Sequence, residues 1–269
     1  MNRIKAVFSK RNRVLLNELV RTDFKLRYQG SILGYAWSLL NPLLIFFILY
    51  FVFVKFLKIG NDVPHYAIYL LFGIVIWNFF VEMTMQSLSS IVARGDLIRK
   101  ISIPRWIIIL STSISALINL LLNMIVIAIF MIFGRVPVSS TIIYLPLLLL
   151  EVYLLALGIS LFLSAANVLY RDVIYIWQVA IQAGFYATPI IYPLSRITKI
   201  SLQKIIILNP MGQIIQDARY SLVTHESITP QQVFQGGWLS YLPILFVLII
   251  LLAGLYYFRR QSKFFAENI

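Results

Sequence analysis

"WIIILSTSISALINLLLNMIVIAIFMIF", residues 106 to 133, carries no charged side chain over 28 positions. An α-helix crosses the hydrocarbon core of a bilayer with about 20 apolar residues, whereas a helix in a soluble domain averages about 11 to 12. The run is therefore read as a membrane span, and its extra length implies tilt or projection past the hydrocarbon. Outward from it, further apolar runs lie at 33 to 56, 67 to 88, 142 to 168, 173 to 192 and 239 to 258. The whole 269-residue chain is 60% hydrophobic and 12% charged, with mean hydropathy +0.86, too little polar surface to cover a soluble globule. Recurring runs cannot be one secretory signal. The expectation is an all-α integral membrane protein with six transmembrane helices. It forms a single transmembrane domain over 1–269: an N-terminal interface helix in 1–32, five spans in 33–192, an outer segment in 193–238, a sixth span in 239–258 and a tail in 259–269.

The formal net charge of +13 would suggest nucleic acid in a soluble chain, but in a membrane protein its placement sets topology. With the N-terminus inside, sixteen of the 23 Lys and Arg residues fall in inner segments, among them eight before residue 32, four in 89 to 105, and Arg171, Arg259, Arg260 and Lys263. This bias predicts a multi-pass protein of the cytoplasmic membrane with both termini cytoplasmic, in contact with membrane lipids and not with nucleic acid. The absence of cysteine excludes disulfides, thiolate metal sites and thiol catalysis. His65 and His225 stand 160 positions apart in loops and offer no metal or base pair. None of the twelve glycines precedes lysine, so no P-loop is present, and neither G-x-S-x-G nor H-E-x-x-H occurs. The chain reads as neither an enzyme nor a metal or cofactor holder.

Several segments carry more than hydropathy. Residues 1 to 32 interleave Val14, Leu15, Leu19, Leu26, Phe8 and Phe24 with basic residues, as a helix lying in the interface does. Its basic face fits anionic headgroups or a diphosphate-bearing lipid, or simply fixes topology. In "YQGSILGYAWSLLNPLL", 28 to 44, Gly30 and Gly34 loosen the chain where it turns into the membrane, Trp37 suits headgroup depth, and Pro42 removes one backbone hydrogen bond from the first span. "SSIVARGDLIRKISIPRW", 89 to 106, is basic, with Leu97, Ile98 and Ile101 at helical spacing before Pro104. It is either a docking helix for a partner or a topology signal. "NVLYRDV", 167 to 173, makes a tight turn, and "QAGFYATPIIYPL", 182 to 194, breaks the fifth span at Pro189 and Pro193. Residues 195 to 237 are too polar to span, yet "KIIILNPMGQIIQDARYSLV", split at Asn209-Pro210, suggests re-entrant or interfacial helices on the outer face.

Two carboxylates fall within spans. Glu82 is near enough to the end of its run to snorkel, and Glu151 is expected to make a structural hydrogen bond or ion pair. Aromatics are dense in the first two spans, and Phe46, Tyr50, Phe53, Tyr69, Trp77 and Phe80 are candidates for rings along a channel, where sugar faces stack on aromatic faces.

Taken in order, "RYQGSILGYAWSLLNPLL", "RGDLIRKISIPRW", "NVLYRDV" and "FYATPIIYP" resemble the type-2 ABC transporter permeases that export lipid-linked polysaccharides, the O-antigen and teichoic acid exporters. The resemblance covers nearly the whole chain. It implies a homodimer paired with two copies of a separate ATP-binding subunit, which would hold the ATP and magnesium. It implies a substrate that is a glycan on a polyprenyl diphosphate. By the same resemblance Arg94, Asp96, Leu97, Ile98, Arg99, Lys100, Ile101 and Pro104 match the coupling helix that docks on the ATPase. Arg27, Tyr28, Gly30, Gly34 and Trp37 are candidates for substrate access. Tyr186, Pro189, Tyr192, Pro193 and Pro210 are candidates for the outer gate. Two other readings share part of the pattern: a permease of the same superfamily for a drug or small lipid, and a stand-alone secondary transporter, for which Glu151 is nearly the only coupling-ion candidate. A membrane-embedded transferase would need clustered acids or a His base, and Asp96, Asp172 and the histidines do not cluster in sequence.

Overall fold

The computed structural model describes residues 10–28, 30–60, 62–100 and 104–265. Ile101 lies outside the described residues, as do the side chains of Arg27, Tyr28 and Lys100. Among the described residues the chain is helical, with no strand. The helices are α1 (Lys10–Tyr28), α2 (Trp37–Leu49), α3 (Tyr66–Ala93), α4 (Gly95–Lys100), α5 (Trp106–Phe133), α6 (Leu145–Leu169), α7 (Val173–Ala187), α8 (Ile200–Leu208), α9 (Pro210–Leu222), α10 (Pro230–Val233) and α11 (Leu242–Gln261).

Five helices are long and apolar enough to cross a membrane: Gly34–Phe56, Tyr66–Ala93, Trp106–Phe133, Ser140–Leu169 and Trp238–Phe264. The run expected as the fifth of six spans forms the shorter apolar helix α7, of 15 residues. It stops at Ala187 because Pro189 forces its predecessor out of the helical region, and Thr188 is extended at φ −95° and ψ 140°.

α3 is the buried axis, enclosed from Ile68 to Trp77 at every position. α2, α5, α6, α7 and α9 pack around it. Lipid-like surroundings give helices little hydrophobic reason to associate, so close packing and interhelical hydrogen bonds hold them together. Hydroxyls and amides supply such bonds. Ser87 meets Thr112 at 2.9 Å, the Asn167 amide donates to the Leu88 carbonyl at 3.1 Å, and the Trp177 indole donates to the Thr84 hydroxyl at 3.1 Å. α6 and α11 touch backbone to backbone, since a Cβ at Gly254 would overlap the Gly158 carbonyl.

The first span changes register midway. Beyond Leu49 it continues as seven π-helical residues, Tyr50–Phe56, a winding that sets residues five apart on one face. Lys55 accordingly lies over the Tyr50 ring, 5.9 Å from its centre. Pro42, inside α2, has no N–H for the Ser38 carbonyl four residues earlier. The Asn123 amide of α5 donates to that carbonyl instead, at 3.3 Å.

The two ends of the bundle differ. At one, α4 packs its Ile98 into a core with Ile91, Ile108, Leu161 and Phe258. At the other, α8, α9 and α10 form a cap over the start of α3.

Candidate functional site

At the α4 end, the arginine and carboxylates of the candidate docking segment divide between two tasks. Arg94 forms an ion pair with Asp23 of α1, with both side chains largely enclosed, so the N-terminal helix is fastened to the turn between α3 and α4. α1 itself packs along α5, with Leu19 buried. Ile98 faces the bundle's own core. Asp96 and Arg99 are exposed and paired with each other at 3.3 Å, and Leu97 is partly exposed. Among the described side chains of α4, those that reach the surface are thus Asp96, Leu97 and Arg99. Pro104 ends the linker and precedes α5.

The glycines of the candidate access segment adopt backbone conformations that side chains resist. Gly30 has φ +80° and Gly34 φ +49°, so the reversal between α1 and α2 depends on the missing Cβ. Trp37 is partly exposed on the wall of a cavity of about 460 Å³ enclosed by α2, α3 and α5. The hydrogen bond from Asn123 to the Ser38 carbonyl sets the start of α2 against the second half of α5. Glu82 does not snorkel along its helix. Its carboxylate accepts from the Asn119 amide at 2.7 Å and the Gln86 amide at 3.4 Å, and it lines the same cavity.

Of the aromatic candidates, Phe46, Tyr69, Trp77 and Phe80 are buried within the subunit, and Tyr50 and Phe53 are half-buried. Trp77 packs against Phe80 and Phe185, and Phe80 against Trp177. This ladder fixes α7 against α3, and Gly184 lies where a Cβ would press on the Trp77 ring. The exposed aromatics of these helices are instead Phe47, Phe51 and Phe56, with Tyr175 and Tyr186 on α7.

The cap is organised by a residue that the sequence reading counted only as a charge. Arg219 on α9 has 0% of its surface exposed, yet no carboxylate pairs with it among the described residues. Its guanidinium donates to the backbone carbonyls of Tyr69 at 3.0 Å, Ile190 at 2.8 Å and Pro189, and to the Gln216 side chain at 3.3 Å. It also stacks 3.6 Å from the centre of the Tyr69 ring. A Cβ at Gly73 would collide with it. Burial pulls the pKa of Arg219 down, opposed by the nearby Tyr69 and Tyr66 hydroxyls. Tyr66 donates to the Ile191 carbonyl at 2.6 Å, so three successive carbonyls of Pro189 to Ile191 are held by α3 and α9. The gate candidates follow: Pro189 and Pro193 are buried and Tyr186 is exposed. Tyr192 donates to the Tyr186 carbonyl at 3.2 Å. Pro210 opens α9, whose first turn is capped by Asn209 accepting from the Met211 N–H at 3.1 Å.

Glu151 of α6 accepts from Gln213 of α9 at 3.4 Å, and the same amide donates to Asp217 at 2.8 Å. Sequence spacing could not show this pairing of two acids through one amide, because their helices meet only in the fold. Burial pushes the Asp217 pKa up to about 6, with the Gln213 bond opposing. His225 bonds Ser139 at 3.1 Å and packs on the Tyr220 ring. No group of three or more His, Asp or Glu residues able to hold a metal occurs among the described residues.

Residues 15–223 match the family model described as ABC-2 type transporter. The chain is 31% identical over 258 residues to the O-antigen export system permease protein RfbA of Klebsiella pneumoniae, with 94% of each chain covered. A second Klebsiella pneumoniae protein of that name is 30% identical over 258 residues, again with 94% of each chain covered. The protein of that name from Myxococcus xanthus is 27% identical over 259 residues, with 96% of each covered. The family match takes in four of the five spanning helices, the candidate docking segment, and α8 and α9 of the cap, and this chain therefore belongs to the ABC-2 type transporter family.

Proposed function

We propose that this chain is the membrane-spanning subunit of an ATP-driven exporter that moves a polyprenyl-diphosphate-linked polysaccharide of the O-antigen kind across the cytoplasmic membrane. The observation that carries the reading is the near full-length likeness to three O-antigen export permeases. The architecture supports it. In this reading the shorter α7 makes a sixth crossing beside the five long helices, so both termini are cytoplasmic and α4 lies inside, where a separate ATP-binding subunit meets Asp96, Leu97 and Arg99. Two copies of this chain pair with two ATP-binding subunits, and the faces left unpartnered on α2 and α7 border the route between the copies. The segment 27 to 37 takes the lipid-linked end, and the cap of α8 to α10 closes the outer side. ATP and magnesium act in the partner subunit, whose closure shifts α4. Because Arg94 joins α4 to α1, that shift reaches the access segment directly. Work is transmitted only if α4 binds the open and closed ATPase unequally.

The test is recovery of the tagged chain from its native membrane. Expected is co-purification of a P-loop subunit in equal amount, with ATP hydrolysis, and loss of surface polysaccharide when the chain is deleted. A chain that purifies alone, from cells whose surface glycan is unaffected by its deletion, overturns the proposal.

A further inference from the structure

The cavity between α2, α3 and α5 has a chemistry unlike the rest of the bundle. Its wall carries Asn41, Asn78, Glu82, Gln86 and Asn119, with Trp37 at its rim. Asn119 is only 3% exposed and stands midway along α5. Its amide is committed to Glu82, but its Oδ1 has no hydrogen-bond partner, and neither has the Asn78 Nδ2. Buried polar groups are ordinarily satisfied, and unsatisfied ones are costly. Here one acceptor and one donor stay unpaired on two side chains that line a single polar cavity beside the middle of α5.

Carboxamides present a donor and an acceptor side by side, which suits adjacent hydroxyls of a sugar ring. A carboxylate accepts from hydroxyls, and an indole offers a flat face to C–H groups. The wall includes no lysine or arginine, and the Glu82 carboxylate repels phosphate. The cavity is therefore suited to the neutral glycan and not to the diphosphate that bears it. Its size, about 460 Å³, lies within the range of small-molecule sites.

We propose that this cavity is a saccharide subsite on the translocation route, in which Asn41, Asn78, Glu82 and Asn119 hydrogen-bond a neutral sugar residue and the Trp37 indole stacks on its apolar face. The inference rests on the exporter reading above. It adds a place inside the subunit where the moving chain is held by exchangeable hydrogen bonds.

The chain has no native cysteine, so Met85→Cys places a single thiol on the cavity's apolar wall. The complete complex with its ATP-binding subunit is reconstituted in nanodiscs, and the labelling rate with a water-soluble methanethiosulfonate is measured with and without O-polysaccharide freed of its lipid by mild acid. In cells, Asn119→Leu and Glu82→Gln are scored for surface polysaccharide. The expected result is at least about fivefold slower labelling in the presence of polysaccharide but not of inorganic pyrophosphate. Surface glycan is expected to fall about tenfold in Asn119→Leu and less in Glu82→Gln, at unchanged complex yield. Labelling indifferent to polysaccharide, in cells where the unmutated chain exports, overturns the subsite and leaves the exporter standing. Failure of the unmutated chain, with its ATP-binding subunit, to restore surface polysaccharide to a deletion strain overturns the exporter reading and the subsite together.

Discussion

Arg219 is a cation held by oxygens of the main chain. Replacing it with methionine keeps the stem but takes a donor from three carbonyls, while the Gln216 oxygen keeps the Tyr69 hydroxyl at 3.0 Å. Leaving a buried acceptor without its hydrogen bond costs about 1 to 3 kcal/mol. Arg219→Met is expected to lower the thermal midpoint of the detergent-solubilised chain and to expose 188 to 193 to proteolysis, whereas an unchanged midpoint would deny the bracket its structural role. Asp217 gives a pH signature. Its pKa stands at about 6 in the fold against an ordinary 3.8, so between those values the folded chain holds more protons than the unfolded one. Its stability therefore falls as pH rises from about 4 to about 6. Asp217→Asn should flatten that slope, and an identical slope in both proteins would assign it to another group. Neither residue could be picked out from sequence. Arg219 is one cation among 23, and the groups that claim it are backbone carbonyls up to 150 residues away, which no side-chain pattern announces. One cue existed: Gln216 and Arg219 stand three apart on the face of α9 that carries Ile215 and Leu222 inward.

At the scale of elements, length and hydropathy located the spans well, because the bilayer imposes a minimum run of apolar residues. The shortfall of α7 was written in Pro189, but its consequence depended on who would bond the freed carbonyls. The π-helical stretch of the first span left no hydropathy trace, since Tyr50–Phe56 is apolar in either winding. The role of Pro42 was half legible: the lost bond followed from the ring, and its replacement by Asn123 followed only from the packing of α5 on α2. The α6–α11 contact yields a prediction at this scale. Gly254→Val forces branched carbon against the Gly158 carbonyl, and overpacking of a close contact costs about 1 to 3 kcal/mol. The variant is expected to unfold at lower temperature with α11 labelled faster by hydrogen exchange. A wild-type midpoint would mean that the two helices part without penalty.

Across the whole molecule, the α4 end and the cap are joined by α3, which is buried at every position from Ile68 to Trp77. The docking surface is tested without disturbing the fold by exchanging charges: Asp96→Lys with Arg99→Glu keeps their mutual pairing but inverts what a partner meets. Surface pairs of this kind contribute little to stability, so the chain should fold and melt as before. Polysaccharide export is expected to drop at least about tenfold, and full export would remove α4 from the drive. The family was legible because four punctuated segments come in a fixed order, while the inward aim of Ile98 and of most of the aromatic candidates was not, since helical spacing alone does not say which face a neighbour takes. The grip of Arg219 on main-chain oxygens has one last consequence. A fastening that takes hold of carbonyls is blind to side chains, yet Ile190 and Ile191 are themselves buried in the core, so only the half-buried Tyr192 is at liberty to vary. Substitution at 192 can therefore reshape the surface there while the grip of Arg219 on the carbonyls of 189 and 190 keeps its strength.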